Sequence, residues 1–175
     1  MKKFTCLLAL SVLTLMGCRD DLGESLFELN YPPREFTLPA GLGTSLARVQ
    51  SISPLPTSYP DFLAASGHSA DEVTKILPRY ARLISLDGLN FGFLSSVSVR
   101  ICPTTQQDCT FADEVFFRDD LYRRNSSTIN FDPGLGNVKS LLSGNLYKLE
   151  VVFFLGEISP YAVDCRLEYS FEAFK

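Results

Sequence analysis

Two stretches near the end of the chain place an apolar residue at every second position almost without a break. In one, Tyr147, Leu149, Val151, Phe153 and Leu155 share a face. In the other, Val163, Cys165, Leu167, Tyr169, Phe171 and Ala173 share a face, with Asp164, Arg166, Glu168 and Glu172 opposite. A period of two over that length predicts sheet strands with one dry and one wet side. Ser96 to Cys102 repeats the pattern: Val97, Val99 and Ile101 point one way, Ser98, Arg100 and Cys102 the other. Shorter strands are predicted at Arg34 to Leu38, Thr44 to Ile52, Thr110 to Phe117 and Ser127 to Phe131. Turn residues at Pro39 to Gly43, Asp87-Gly88 and Asp132 to Gly136 separate them. Ser53 to Pro60 carries three prolines and is predicted to be loop.

Two short helices interrupt this pattern. Ser69-Ala70-Asp71-Glu72 fits a capping box. Val73, Ile76 and Leu77 follow as an apolar stripe, and Pro78 ends it. Asn137 to Ser143 predicts the second, with Asn137 as cap, Val138, Leu141 and Leu142 buried and Gly144 as stop. The expected fold is therefore mainly β: an antiparallel two-sheet β-sandwich with one or two short helices. An open barrel is the alternative.

The start of the chain follows another rule. Lys2 and Lys3 precede a mostly apolar run from Phe4 to Met16, with Gly17 before Cys18. Such a run is a secretory signal, too short for the roughly 20 apolar residues that span a bilayer. Leu15-Met16-Gly17-Cys18 resembles the lipobox of bacterial lipoproteins. That resemblance implies cleavage before Cys18, a diacylglyceryl group on its sulfur and an acyl chain on the new amino terminus. Several chains anchor stably where one does so marginally. An ordinary signal with an incidental cysteine is the alternative. Arg19-Asp20-Asp21 resembles the export signal of surface-exposed lipoproteins in the Bacteroidota, or is simply a charged tether. The expected organisation is a signal peptide over residues 1–17, a lipidated cysteine and tether over 18–33 ending at Pro32-Pro33, and a β-sandwich domain over 34–175. This layout is similar to that of small outer-membrane lipoproteins of the Bacteroidota.

Composition narrows the function. Removing Lys2 and Lys3 with the signal leaves 14 basic residues against 20 acidic ones, a net charge of −6. A nucleic-acid binder carries a basic patch instead; Arg123-Arg124 is only a pair in an expected loop. Export to an oxidising compartment permits a disulfide. Cys102 and Cys109 flank a polar turn and are expected to bond across it, two free thiols being the alternative. Cys165, on an apolar face, is expected to be a buried thiol.

The residues of a catalytic constellation are scarce in the chain. His68 is the sole histidine and no Gly-x-Ser-x-Gly elbow accompanies it. An exposed loop position is expected for it. Three cysteines and a distant His68 lack zinc-site spacing, so no metal centre is predicted. Asp113-Glu114 and Asp119-Asp120 are neighbours in sequence, not carboxylates facing one another across a cleft. They predict a solvated edge or a weak calcium site. The glycines near Gly41 and Gly134 lack the context of a phosphate loop, and Asn125-Ser126-Ser127 is a chance sequon in an exported bacterial protein. No cofactor is expected.

Aromatic residues are in excess: 14 Phe and seven Tyr, with no Trp. Phe116-Phe117 and Phe153-Phe154 put adjacent rings on opposite faces of their strands. One ring of each pair must lie outside a one-sided core. Packing beneath a helix is the expectation; lining a binding surface is the alternative. These features predict a non-enzymatic lipoprotein at the outer membrane, exposed at the cell surface if the export signal operates. It is held to the membrane by its lipid and binds a protein or glycan partner. A carrier of an apolar ligand between the sheets is the alternative. An enzyme would need carboxylates gathered from distant strands.

Overall fold

The computed structural model describes residues 23–175. Cys18 and the expected signal peptide lie outside the described residues. The ten strands among the described residues are β1 (Ser25–Asn30), β2 (Arg34–Leu38), β3 (Arg48–Pro56), β4 (Lys75–Ser85), β5 (Leu94–Cys102), β6 (Glu114–Arg118), β7 (Thr128–Asn130), β8 (Asp132–Pro133), β9 (Leu146–Leu155) and β10 (Val163–Phe174). Helix α1 covers Tyr59–Ser66 and α2 covers Lys139–Leu142. They build an antiparallel two-sheet β-sandwich.

β10 is the axis of the first sheet. Along one flank it pairs with β4, whose outer neighbour is β7. Its other flank is shared by β1 and β2 in succession, from Ser25 opposite Phe174 to Leu38 opposite Val163. Pro32-Pro33 lies at the break between them, where the missing N–H groups would interrupt any ladder. The expected tether over 18–33 is thus corrected: its later part, Ser25–Asn30, is a paired strand. The second sheet runs β3-β9-β5-β6-β8.

The inward rows of β9 and β10 are as their alternation predicts. Tyr147, Leu149, Val151, Phe153, Val163, Cys165, Leu167, Tyr169, Phe171 and Ala173 are all buried. Aromatic rings from both sheets meet midway. Tyr31 stacks on Tyr169 with centroids 5.4 Å apart and meets Tyr147 edge-on at 5.6 Å. Phe116 lies 5.6 Å from Phe171. The Tyr147 and Tyr169 hydroxyls hydrogen-bond to each other at 2.6 Å, and Tyr31 donates to the Thr57 carbonyl at 2.7 Å. These three phenols thus keep partners in a dry interior, whereas the buried Tyr59 hydroxyl has none.

The helix expected at Ser69 does not form. Half of the capping box is present, since the Ser69 N–H donates to the Glu72 carboxylate at 2.7 Å, but the Glu72 N–H donates to the Ser69 carbonyl rather than its hydroxyl, and the contacts close a turn. The segment after it is β4. A bulge there puts both Arg79 and Tyr80 outward, so Ile76 and Pro78 face the core before it and Ala81, Leu83 and Ser85 after it. The phase change erases the period of two, and Ile76 and Leu77 then mimic a helical stripe. Ser53 to Pro60, expected as loop, instead finishes β3 and starts α1. β3 is an edge strand, where Pro54 and Pro56 forfeit nothing the sheet needs. Pro60 occupies the first turn of α1, where its missing N–H is harmless. Thr110 to Asp113, expected within a strand, turns as a single 3-10 turn over Phe111–Asp113 before β6. α2 is shorter than predicted and Val138 takes its cap position. The Asn137 side chain accepts instead from Ile76 and Lys139 N–H, each at 3.0 Å, and so ties α2 to β4.

Phe171 touches Tyr31, Phe116 and Tyr169 at full burial. Phe171→Ala is expected to lower unfolding free energy by about 3–5 kcal/mol. Phe154→Ala, at an exposed position, should change it by roughly 0.5 kcal/mol or less. Urea denaturation followed by circular dichroism reads both.

Candidate functional site

The outward face of the second sheet is where polar and aromatic chemistry gathers. Ser96, Ser98, Arg100 and Cys102 project from β5, and Lys148, Glu150, Val152 and Phe154 from β9. Part of this face is covered. The chain after β5 folds back across it, and Cys102 and Cys109 are joined in a disulfide. Beneath this loop Lys148 and Glu150 form a buried ion pair at 2.9 Å. The Lys148 ammonium donates to the Gln106 and Gln107 carbonyls at 2.9 and 2.7 Å. The Glu150 carboxylate accepts the Cys109 N–H at 3.0 Å. Two charges that would be costly alone are satisfied by each other and by the loop.

The uncovered remainder forms a groove of about 420 Å³. Its floor is β5, with Ser96 and Ser98. Phe117 on β6 pairs opposite Ser98, and Phe154 on β9 pairs opposite Ser96. Small polar residues on the central strand and rings on its neighbours make a trough. Phe111, from the 3-10 turn, adds a third ring and is 76% exposed. Glu114 and Asp119 also line the groove. The Arg100 guanidinium donates to the Cys109 carbonyl at 3.4 Å, so the disulfide loop holds it in place. Its Nε and the Ser98 hydroxyl are buried and have no hydrogen-bond partner.

Phe117 and Phe154 were expected beneath a helix. They are not: α1 packs against β1, α2 packs against β4 and β9, and the two rings face outward along the groove. Phe116 and Phe153 are the buried members of the two pairs. Ser98 and Arg100 were not singled out as site residues from the sequence. The available signal was a Ser-x-Ser-x-Arg row on a strand whose neighbours carry doubled phenylalanines.

A second concavity, of about 480 Å³, opens at the end of the sandwich where β5 ends and β6 and β9 begin. Ile101, Val115, Val138, Leu141 and Leu146 give it apolar walls, with Asp113 and Glu114 at one side. Burial would raise the Asp113 carboxyl, but hydrogen bonds from the Thr110 N–H, the Thr110 hydroxyl and Gln106 bring it below the usual carboxylate range. It is engaged in closing a turn and is no proton donor near neutrality. His68 lies beside Glu72 with its ring stacked on Phe27 at 6.1 Å, and the Glu72 carboxylate, which also accepts from the Ser69 hydroxyl at 3.3 Å, stands between the histidine and the serine, the reverse of a triad's order. Among the described residues no group of three or more His, Cys, Asp or Glu is placed to hold a metal ion, and no helix is long and apolar enough to cross a membrane. Cys165 is a free, buried thiol pushed up to about 12 by burial.

No protein-family model matches the chain, and no curated protein is matched by its sequence. The site is therefore read from its geometry.

The Cys102–Cys109 bond closes a short loop, and the chain-entropy model gives about 2–3 kcal/mol for such a closure. The paired Cys102→Ser, Cys109→Ser variant is expected to lose about that much stability in urea titrations. Loss of the folded state altogether would mean that the loop also carries the Lys148–Glu150 pair.

Proposed function

We propose that the chain is a non-enzymatic, lipid-anchored binding module at the outer membrane, with its binding surface on the outward face of the second sheet. The observation that carries this reading is the aromatic trough, which exposes Phe111 and Phe154, with half-buried Phe117, beside unpartnered polar atoms. A soluble domain gains nothing in stability from rings left in water, whereas rings beside convergent polar groups suit a ligand. The lipobox at Leu15 to Cys18 supports the anchor. Gly23 lies against the Lys175 carbonyl, so the link from Cys18 enters where β1 begins and β10 ends. Five residue steps reach at most about 18 Å, which would hold that end of the sandwich close to the bilayer. Arg19-Asp20-Asp21 supports transfer to the cell surface.

Cells expressing the full chain and fed labelled palmitate are expected to incorporate label into this protein, and Cys18→Ser should abolish both the label and recovery with outer membranes. Unchanged membrane recovery of the unlabelled variant would overturn the anchor.

A second reading, a carrier of an apolar ligand, draws on the end cleft with its wall of Ile101, Val115, Val138, Leu141 and Leu146. Farther in, the space between the sheets is filled by Phe116, Tyr147, Phe153 and Phe171. A ligand would be limited to the mouth. Native mass spectrometry of the purified protein is expected to show no co-purifying lipid beyond the covalent anchor; a stoichiometric lipid would favour the carrier.

A further inference from the structure

We infer that the trough on the second sheet binds a neutral saccharide. This deepens the binding-module reading and rests on it. The argument starts from what each wall offers. Phe154 is 42% exposed and Phe111 76%. With Phe117 they present flat apolar surface on which the C–H face of a sugar ring can lie. Between them Ser98 is only 4% exposed, yet its hydroxyl has no partner. Arg100 holds an unpartnered Nε–H at the same site.

Both groups already lie out of water without a partner, and a purely apolar ligand would leave them so, whereas a ligand bearing hydroxyls can pair with them. An anionic ligand would meet Glu114 and Asp119, while the one guanidinium present is already turned toward the Cys109 carbonyl. A sugar hydroxyl both donates and accepts. The trough supplies both halves: carboxylates that only accept, an Arg Nε–H that only donates and a serine that does either. Its volume of about 420 Å³ falls within the roughly 300–1,000 Å³ of small-ligand sites. The alternation of Ser96 and Ser98 with inward-facing Val97 leaves the floor shallow, so a chain of sugar rings can lie across it.

The test uses the full lipidated protein in a detergent without a sugar head group. It is screened on an array of neutral and acidic oligosaccharides and then titrated calorimetrically with the best neutral binder. Saturable binding of a neutral oligosaccharide is expected, weakened at least tenfold by Phe154→Ala and by Phe117→Ala. Leu135→Ala, at a leucine that does not line the trough, should leave it unchanged. Phe154→Ala removes an exposed side chain and Phe117→Ala a half-buried one, and native-like circular dichroism with a cooperative urea transition confirms that both fold. A blank array, preference for acidic glycans, or binding that survives loss of both rings would overturn the saccharide assignment. Photo-crosslinking from position 154 in intact outer membranes separates the two levels. A specific protein adduct with a blank array sinks the saccharide and keeps the binding module, whereas a blank array with no adduct sinks both.

Discussion

One row of side chains on β10, from Val163 to Ala173, is withdrawn from water along its whole length, and the rest of the molecule is arranged to keep it so. Three strands hydrogen-bond to β10 along its two flanks, and the inward row of β9 closes over it from the other sheet. Burying a phenylalanine or leucine fully is worth about 1.5–3 kcal/mol, and the contributions here are contiguous. The Tyr147–Tyr169 hydroxyl pair sits within this layer and lets two large phenols be buried without an orphaned group. Tyr31, delivered by the turn between β1 and β2, completes the stack. The first strand is therefore joined to the core as well as to the edge of the sheet.

The second sheet resolves a different conflict. Its outward face carries Lys148 and Glu150 at positions that become buried once the disulfide loop folds over them. The loop and the ion pair depend on each other. The carbonyls of Gln106 and Gln107 and the Cys109 N–H have partners only because the charges are there, and the charges tolerate burial only because the loop satisfies them. Arg100 sits at the boundary of this arrangement, one side held by the loop and the other facing the trough. The covered half of the face gives the open half a fixed wall.

Legibility from sequence followed the regularity of the backbone. β10 alternates strictly and β9 keeps an apolar residue at every second position, and so their inward rows were readable residue by residue. β2 was readable in its bounds because prolines and glycines punctuate both ends. β4 was not, because the bulge at Arg79 and Tyr80 shifts the inward set by one position and no local residue announces it. The Ser69 box was a partial local signal: Glu72 reaches back to the Ser69 N–H, but pairing of the following residues with β10 outcompeted a helix. α1 was hidden by prolines that usually mark loops and here occupy a permissive first turn. The trough was half visible. Doubled phenylalanines require rings on the wrong side of a sandwich, but which strand lies between them depends on sheet order, and that is set by contacts distant in sequence.

Gly23 and Lys175 end up side by side, with the Lys175 N–H donating to the Glu24 carbonyl at 2.9 Å. A short linker could join these positions, and new ends could be opened in an exposed loop such as that around Leu46, yielding a circular permutant with the same sheets. The same adjacency governs fusions. A reporter appended after Lys175 would emerge beside the start of β1, whereas an insertion near Leu46 or Ile158, both exposed, would stand clear of it.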